Sequence, residues 1–211
     1  MLWYSQAGTP EVSVEDEYDS NQQTYSATFT QKNQKTPFVI PNQFGLIDKD
    51  GLEIESDLII IDELVKTISF NNVQSKPVPS WFRGFSAPIK VSSTLSMQDK
   101  IYLASCDTDP FNRWDSVQSL WLEYILNPEQ VIEKDLFEMI ENLFNNESDY
   151  ALLSEMISLP SEQIIHQNVG KIDVEEVHNQ RNQSILSVAS AFKKQLLEMY
   201  HQLNHTKAFD L

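Results

Sequence analysis

Hydrophobic and polar positions alternate with a period of two through the first half of the chain and switch to a helical period in the second. Val12 and Val14 alternate with polar residues ahead of Tyr18, and Tyr25, Ala27 and Phe29 alternate with Ser26, Thr28 and Thr30. That period places one face of a strand in a core and the other outside it. Asp19-Ser20-Asn21 reads as the turn between the two strands. A third segment, Phe38 to Ile47, has Pro37 and Pro41 near its start, which suits an edge strand or a strand entry. Asp48-Lys49-Asp50-Gly51 supplies a hairpin turn in which Gly51 takes positive φ without steric cost. Leu52 to Ile54, Leu58 to Ile61, Lys66 to Phe70 and Phe85 to Val91 complete a set of about seven short strands, which predicts an immunoglobulin-like β-sandwich.

The period changes near Ser96. Met97 to Cys106 fits a helix through Ile101, Leu103 and Ala104, and Thr108-Asp109-Pro110 ends it and starts the next, with Asp109 as N-cap and Pro110 as the first helical residue. Phe111, Trp114, Trp121 and Ile125 then share one face, read as core in preference to the wall of a ligand groove. After Asn127-Pro128, Val131, Leu136, Met139, Ile140, Leu143 and Phe144 form the apolar face of another helix. Ser148 is placed to cap a further one carrying Leu152, Leu153 and Met156, which stops at Leu159-Pro160-Ser161. The final helix is expected to open at Asp173, with Glu176 completing a capping box, and to run as one face from Val174 to Leu203. Helices of unequal length joined by short polar turns predict a stacked helical array. The expected domains are residues 1–95, β, and 96–211, α.

Composition narrows the function classes. The chain has 211 residues and a net charge of −16, with −5 over residues 1–97 and −11 over residues 98–211. Such a surface repels phosphate backbones and anionic lipid, which disfavours nucleic-acid and membrane partners. It reads first as solubility and second as an attraction for basic peptides. The apolar runs are far shorter than a membrane span, and the start Met1-Leu2-Trp3-Tyr4 lacks the basic and apolar regions of a signal peptide. A single cysteine, Cys106, fits a reducing compartment. Its acidic neighbours Asp107 and Asp109 do not favour a thiolate, so it reads as a small core residue and the two aspartates as cap and turn residues.

Three stretches stand out: LWYSQAGTP from Leu2 to Pro10, PVPSWFRGFSAPIKV from Pro77 to Val91, and DPFNRWDSVQSL from Asp109 to Leu120. In the second, Trp81, Phe82 and Phe85 offer apolar area and Gly84 permits close backbone approach. Arg83 among them can stack on a ring, bridge to a carboxylate, or face another domain. Together the three stretches resemble the bacterial aminopeptidase N family. The resemblance implies that Leu2 to about Leu95 is the immunoglobulin-like domain that follows the catalytic domain, and that the remainder opens a C-terminal α-helical superhelical domain. It also implies a parent enzyme that is a zinc-dependent exopeptidase removing N-terminal residues from peptides.

The residues that carry that chemistry are not found in this sequence. Zinc hydrolysis of this type uses HExxH, whose Glu is the general base, and neither HExxH nor a GxMEN-like stretch occurs. His201 and His205 have i, i+4 spacing without a base between them, and His166 and His178 lie in polar surroundings and read as exposed. GxSxG, Walker and dinucleotide-binding motifs are absent too. The expectation is therefore no catalytic, cofactor-binding or metal residue in this chain, with zinc in the parent. Its expected partners are an upstream catalytic domain of the same polypeptide and, in the parent, peptide substrates, in the cytoplasm. The alternative is an independent adaptor that binds peptide or protein along its helices.

Overall fold

Alternation along the first half resolves into seven strands in two sheets, and the helical period beyond it into seven helices among the described residues. The computed structural model describes residue 3 and residues 8–127, 133–168 and 174–203. The strands are β1 Glu11–Asp19, β2 Thr24–Lys32, β3 Ile40–Ile47, β4 Glu53–Ile61, β5 Val65–Phe70, β6 Val78–Ser80 and β7 Lys90–Ser93. The helices are α1 Met97–Cys106, α2 Pro110–Leu126, α3 Glu133–Asn146, α4 Tyr150–Ile157, α5 Glu162–Asn168, α6 Val174–Ala191 and α7 Lys193–Leu203. By contact the chain divides into two compact units, Met1–Ser116 and Val117–Leu211, with the division inside α2.

In the first unit one sheet has the order β5-β2-β1-β7 and the other β4-β3-β6. Their inner faces meet through Val12, Val14, Tyr25, Ala27, Phe29, Ile40, Phe44, Leu46 and Ile61, all nearly inaccessible to water. The alternating residues read from β1 and β2 are thus the buried ones. Trp81 joins this core edge-on to Phe29, with ring centroids 5.0 Å apart, and Phe82 packs there as well. A buried polar side chain closes one end: Gln31 Nε2 donates to the Phe38 carbonyl (2.9 Å) while its Oε1 accepts from the Phe38 N–H (2.8 Å). Trp3 packs on Phe38 and donates from its indole to the Val39 carbonyl. Residues 4–7 of the first stretch lie outside the described residues.

Several local expectations change. Glu53–Ile54 and Leu58–Ile61 belong to a single strand, β4, because the polar residues between them lie on an open edge and need no turn, while Leu52 stays outside it and its carbonyl accepts from the Asp48 N–H. Phe85–Val91 is no strand: Arg83–Phe85 forms a 3-10 turn, and pairing begins only at Lys90, where β7 runs parallel to β1. β3 is central in its sheet, yet β6 pairs only with Gly45–Ile47, so Pro41 lies where that side of the strand is an edge and its missing N–H removes no bond to β6.

In the second unit the helices bury Val117, Leu120, Trp121, Ile125, Leu136, Met139, Ile140, Leu143, Leu153, Met156, Ile165 and Val177. The end of α4 is tied to α2 through its last carbonyls. Trp121 Nε1 donates to the Met156 carbonyl (3.0 Å), and Gln118 Nε2 to those of Glu155 (3.2 Å) and Ser158 (2.9 Å). The N-cap of α4 is Asp149, one residue after Ser148, and accepts from the N–H groups of Ala151 and Leu152. Sequence reading missed α5, a short helix whose buried side is a single residue, Ile165. His166, expected to be exposed, is half-buried, and its Nε2 is buried without a hydrogen-bond partner. The long terminal face is two helices flanking Phe192, although the i, i+4 bonds Phe192 N to Val188 O and Leu196 N to Phe192 O cross the break. Pro128, Val131, Asp173 and His205, given roles above, lie outside the described residues.

Candidate functional site

The most concentrated chemistry lies around Arg83, wholly within the first unit. β6 ends at Ser80, and the backbone turns at Phe82, Gly84 and Phe85, each at positive φ. Two of these are not glycine, so the turn carries strain of order 1 kcal/mol or more that its surroundings must offset. Two hydrogen bonds hold it. Asn42 Oδ1, inside the sandwich, accepts from the Phe82 N–H (2.8 Å), and Asp109 Oδ2 accepts from the Gly84 N–H (3.0 Å). The turn sends Arg83 back across the outer face of the β4-β3-β6 sheet.

There the guanidinium lies on Gly45. A Cβ at that position would overlap it, so the only residue type that admits Arg83 is glycine. Arg83 Nη2 donates to Asp107 Oδ1 (2.8 Å), Nη1 to Glu53 Oε2, and Nε to Ser80 Oγ (2.9 Å). Ser80 Oγ also accepts from Asn112 Nδ2 (2.7 Å) and donates to Asp107 Oδ2, which saturates the hydroxyl. Asn112 Nδ2 donates further to the Trp81 carbonyl (2.9 Å). The Arg83 side chain is 7% exposed and that of Asp107 is wholly buried.

Each participant is delivered by a local feature of the sequence. Ser96 and Asp99 form a capping box that starts α1, and Asp107 is the C-cap residue at its end. Asp109 Oδ1 accepts from the Asn112 N–H (2.8 Å), so it caps α2 as expected while its other oxygen holds Gly84. A shift of register between Leu46 and Ile47 pairs Ile47 with Glu53 and leaves Ile54 as the extra residue. The bulge turns Glu53 to the same face as Gly45 and Ser80. Partial burial pushes the Glu53 carboxyl up, but hydrogen bonds from Arg83, Ser56 and Thr108 with the Arg83 charge hold it below the usual carboxylate range.

Arg83 therefore bridges carboxylates, one of its three possible roles, and neither stacks on a ring as its main contact nor faces outward. Arg113, four residues after Asp109, donates from Nε to the Ala104 carbonyl (3.1 Å). Cys106 is half-buried with Sγ 3.1 Å from the Tyr102 carbonyl, and burial pushes its thiol up, away from the reactive thiolate. His178 is exposed and bonded to Glu162 (2.7 Å) and Asn182 (2.8 Å), and His201 is exposed. No group of three or more His, Cys, Asp or Glu side chains among the described residues is placed to share a metal ion, so these residues do not fit a zinc centre. Sequence reading missed Glu53, Ser80 and Gly45. Gly45 had a usable signal, since a lone glycine in a strand marks close approach by another group.

Arg83, Ser80 and Asp107 satisfy one another, while Asn42 Nδ2 is a buried donor without a partner, so the arrangement is a clamp: it fastens the strained turn and the sheet to the α1–α2 junction. It has neither a free base nor an activated nucleophile. Beside it, an open cleft of about 540 Å³ is lined by Gln43, Phe44, Glu53, Ser56, Asp57, Leu58, Arg83 and Thr108.

Comparison with known proteins gives the clamp a family context. Residues 8–94 match a family described as a domain of unknown function (DUF3458) of Ig-like fold, and residues 97–211 one described as a domain of unknown function (DUF3458_C) of ARM repeats. Aminopeptidase N of Escherichia coli (strain K12) is 29% identical over 225 residues, covering 94% of this chain and 26% of that protein. Aminopeptidase N of Haemophilus influenzae is 25% identical, again over 94% of this chain and 26% of the relative. The crystal structure of Legionella pneumophila aminopeptidase A in complex with aspartic acid superposes with a TM-score of 0.87 at 27% identity, covering 99% of this chain and 25% of that one. The chain thus spans about a quarter of the length of the relatives it matches. From its β-sandwich to its helical array, it belongs to the aminopeptidase N family, corresponding to the Ig-like and ARM-repeat regions of that family's C-terminal part.

Proposed function

We propose that this chain is the non-catalytic scaffold of a zinc-dependent aminopeptidase that removes N-terminal residues from peptides. In this reading residues 1–95 form the Ig-like domain and 96–211 the opening part of the helical superhelical domain. Together they position the catalytic domain of the same polypeptide and help enclose its substrate chamber. Zinc and peptide substrate belong to the catalytic portion, and the cytoplasm keeps Cys106 reduced. No described helix is long and apolar enough to cross a membrane. The observation that carries the reading is coverage: nearly the whole chain matches aminopeptidase N, yet only about a quarter of each relative is matched. The Arg83 clamp supports it, because Arg83, Ser80 and Asp107 are spent on one another.

The test mixes the purified chain with a separately produced catalytic portion of the enzyme. Co-migration by sedimentation velocity is expected, with zinc and turnover of an alanyl chromogenic substrate confined to the catalytic portion. One tightly held zinc per chain with chelator-sensitive turnover by the chain alone would overturn the reading. A chain that ignores the catalytic portion and binds peptides along its helices would establish the adaptor instead, for which exposed Leu197, Tyr200 and Leu203 on α7 offer apolar area.

A further inference from the structure

The β4 strand is an open edge with a sharply divided surface. It is an outer strand of its sheet, nine residues long, paired on one side only by β3. Gln43, directly opposite Leu58, sends its N–H to Ser86 Oγ (3.2 Å), away from β4. The Leu58 N–H correspondingly points out of the sheet and is taken up by the neighbouring Asp57 carboxylate (2.7 Å). In an antiparallel ladder the outward direction recurs at every second residue, so Ser56, Leu58 and Ile60 present the free edge. Asp57 occupies the place that a carbonyl of a further strand would take.

The side chains on this edge specify what can add to it. Leu58 and Ile60 stand exposed on the outer face, at 55% and 39%. Glu55 and Asp57 lie opposite Leu46 and Phe44 and so share the other face, where β4 overhangs the sandwich. The strand contains three carboxylates and no basic residue, and its Glu53 is already committed to Arg83. Clefts flank it on both sides, the one of about 540 Å³ beside Ser56, Asp57 and Leu58 and another of about 300 Å³ lined by Ile54, Glu55, Phe70 and Asn71. Depth is therefore available for long side chains on either face. A second copy of this chain is a poor occupant, because β4 against β4 would set carboxylates opposite carboxylates.

We propose that β4 is a strand-addition site for an extended peptide segment that carries lysine or arginine on one face and aliphatic residues on the other. The added strand takes its main-chain bonds from Ser56, Leu58 and Ile60, frees Asp57 from its own edge, and pairs its cations with Asp57 and Glu55 while its aliphatic residues cover Leu58 and Ile60. Main-chain bonding supplies attraction for any strand, and the acidic row supplies the selection. This site goes beyond the scaffold reading and does not depend on it.

The probe is a short acetylated peptide of alternating lysine and valine, titrated into the full chain with the backbone amides followed by NMR. Shifts and slowed hydrogen exchange are expected at Ser56, Leu58 and Ile60, and a matched glutamate–valine peptide should bind about tenfold more weakly. The double variant Glu55→Lys/Asp57→Lys should reverse the preference, and Ser56→Pro should remove binding of both peptides while circular dichroism stays unchanged. If Ser56→Pro unfolds the chain, the charge-reversed variant still decides the matter. Equal binding of the two peptides, shifts confined to other strands, or no shift at all would overturn the proposal. So would protection of the same amides by self-association without peptide, which would make a second copy the occupant.

Discussion

Replacing Arg83 by methionine tests the clamp most directly, since the substitution keeps much of the aliphatic stem and removes only the charge and the donors. Asp107 would then hold a carboxylate in a fully buried position, with only Ser80 Oγ–H and the Asp109 N–H (3.0 Å to Oδ1) still donating to it among the described residues. Removing one member of a buried pair costs about 3–5 kcal/mol, most of it the desolvation of the charge left behind. At this chain length each kcal/mol moves the midpoint by roughly 2–4 °C, so a loss of roughly 10 °C is expected for the β unit. Hydrogen exchange of the Tyr25, Ala27 and Phe29 amides measures the free energy in that unit and separates it from changes in Val117–Leu211. Adding Asp107→Leu and Glu53→Gln removes the stranded charges and should restore part of the loss. If Arg83→Met alone costs under about 1 kcal/mol, the pair behaves as a solvated surface contact and the clamp argument fails.

Three further outcomes follow from the same geometry. Asp109→Ala removes both the α2 N-cap and the acceptor of the Gly84 N–H, so its cost should approach about 2 kcal/mol, the upper end for a cap; urea unfolding monitored by circular dichroism reads it. Gly45→Ala drives a methyl into the guanidinium and should cost about 1–3 kcal/mol, and Arg83→Ala in the same chain should abolish the additional penalty, as a double-mutant cycle on thermal midpoints will show. Because the folded-state pKa of Glu53 is depressed, its contribution is complete above the ordinary glutamate value and fades as pH falls through the lowered one. Glu53→Gln should therefore flatten the acid limb of stability against pH, and an unaltered limb would contradict the assignment.

How much of this was legible beforehand depends on how local the signal is. The β1 and β2 alternation, the α1 helix and the Asp109-Pro110 start of α2 were read correctly because period and capping act over a few residues. The sequence reading places this cap at Ser148, one residue early, because Ser and Asp both cap well and only the backbone geometry distinguishes neighbouring positions. α5 was missed because a seven-residue helix with one buried position has almost no periodicity to detect.

The sequence by itself determined the β-then-α order, the resemblance to aminopeptidase N, and the lack of an HExxH motif, since these depend on residue types at short spacing. Tertiary structure alone decided that Arg83 would be shared between Glu53 and Asp107, thirty residues before it and twenty-four after. That pairing needs a bulge at Ile54, a bare Cα at Gly45 and three left-handed residues after Ser80, and it exists only when all three coincide. Tertiary structure likewise left β4 at an edge, because strand order follows from how the sheets close over their core and no short-range pattern encodes it.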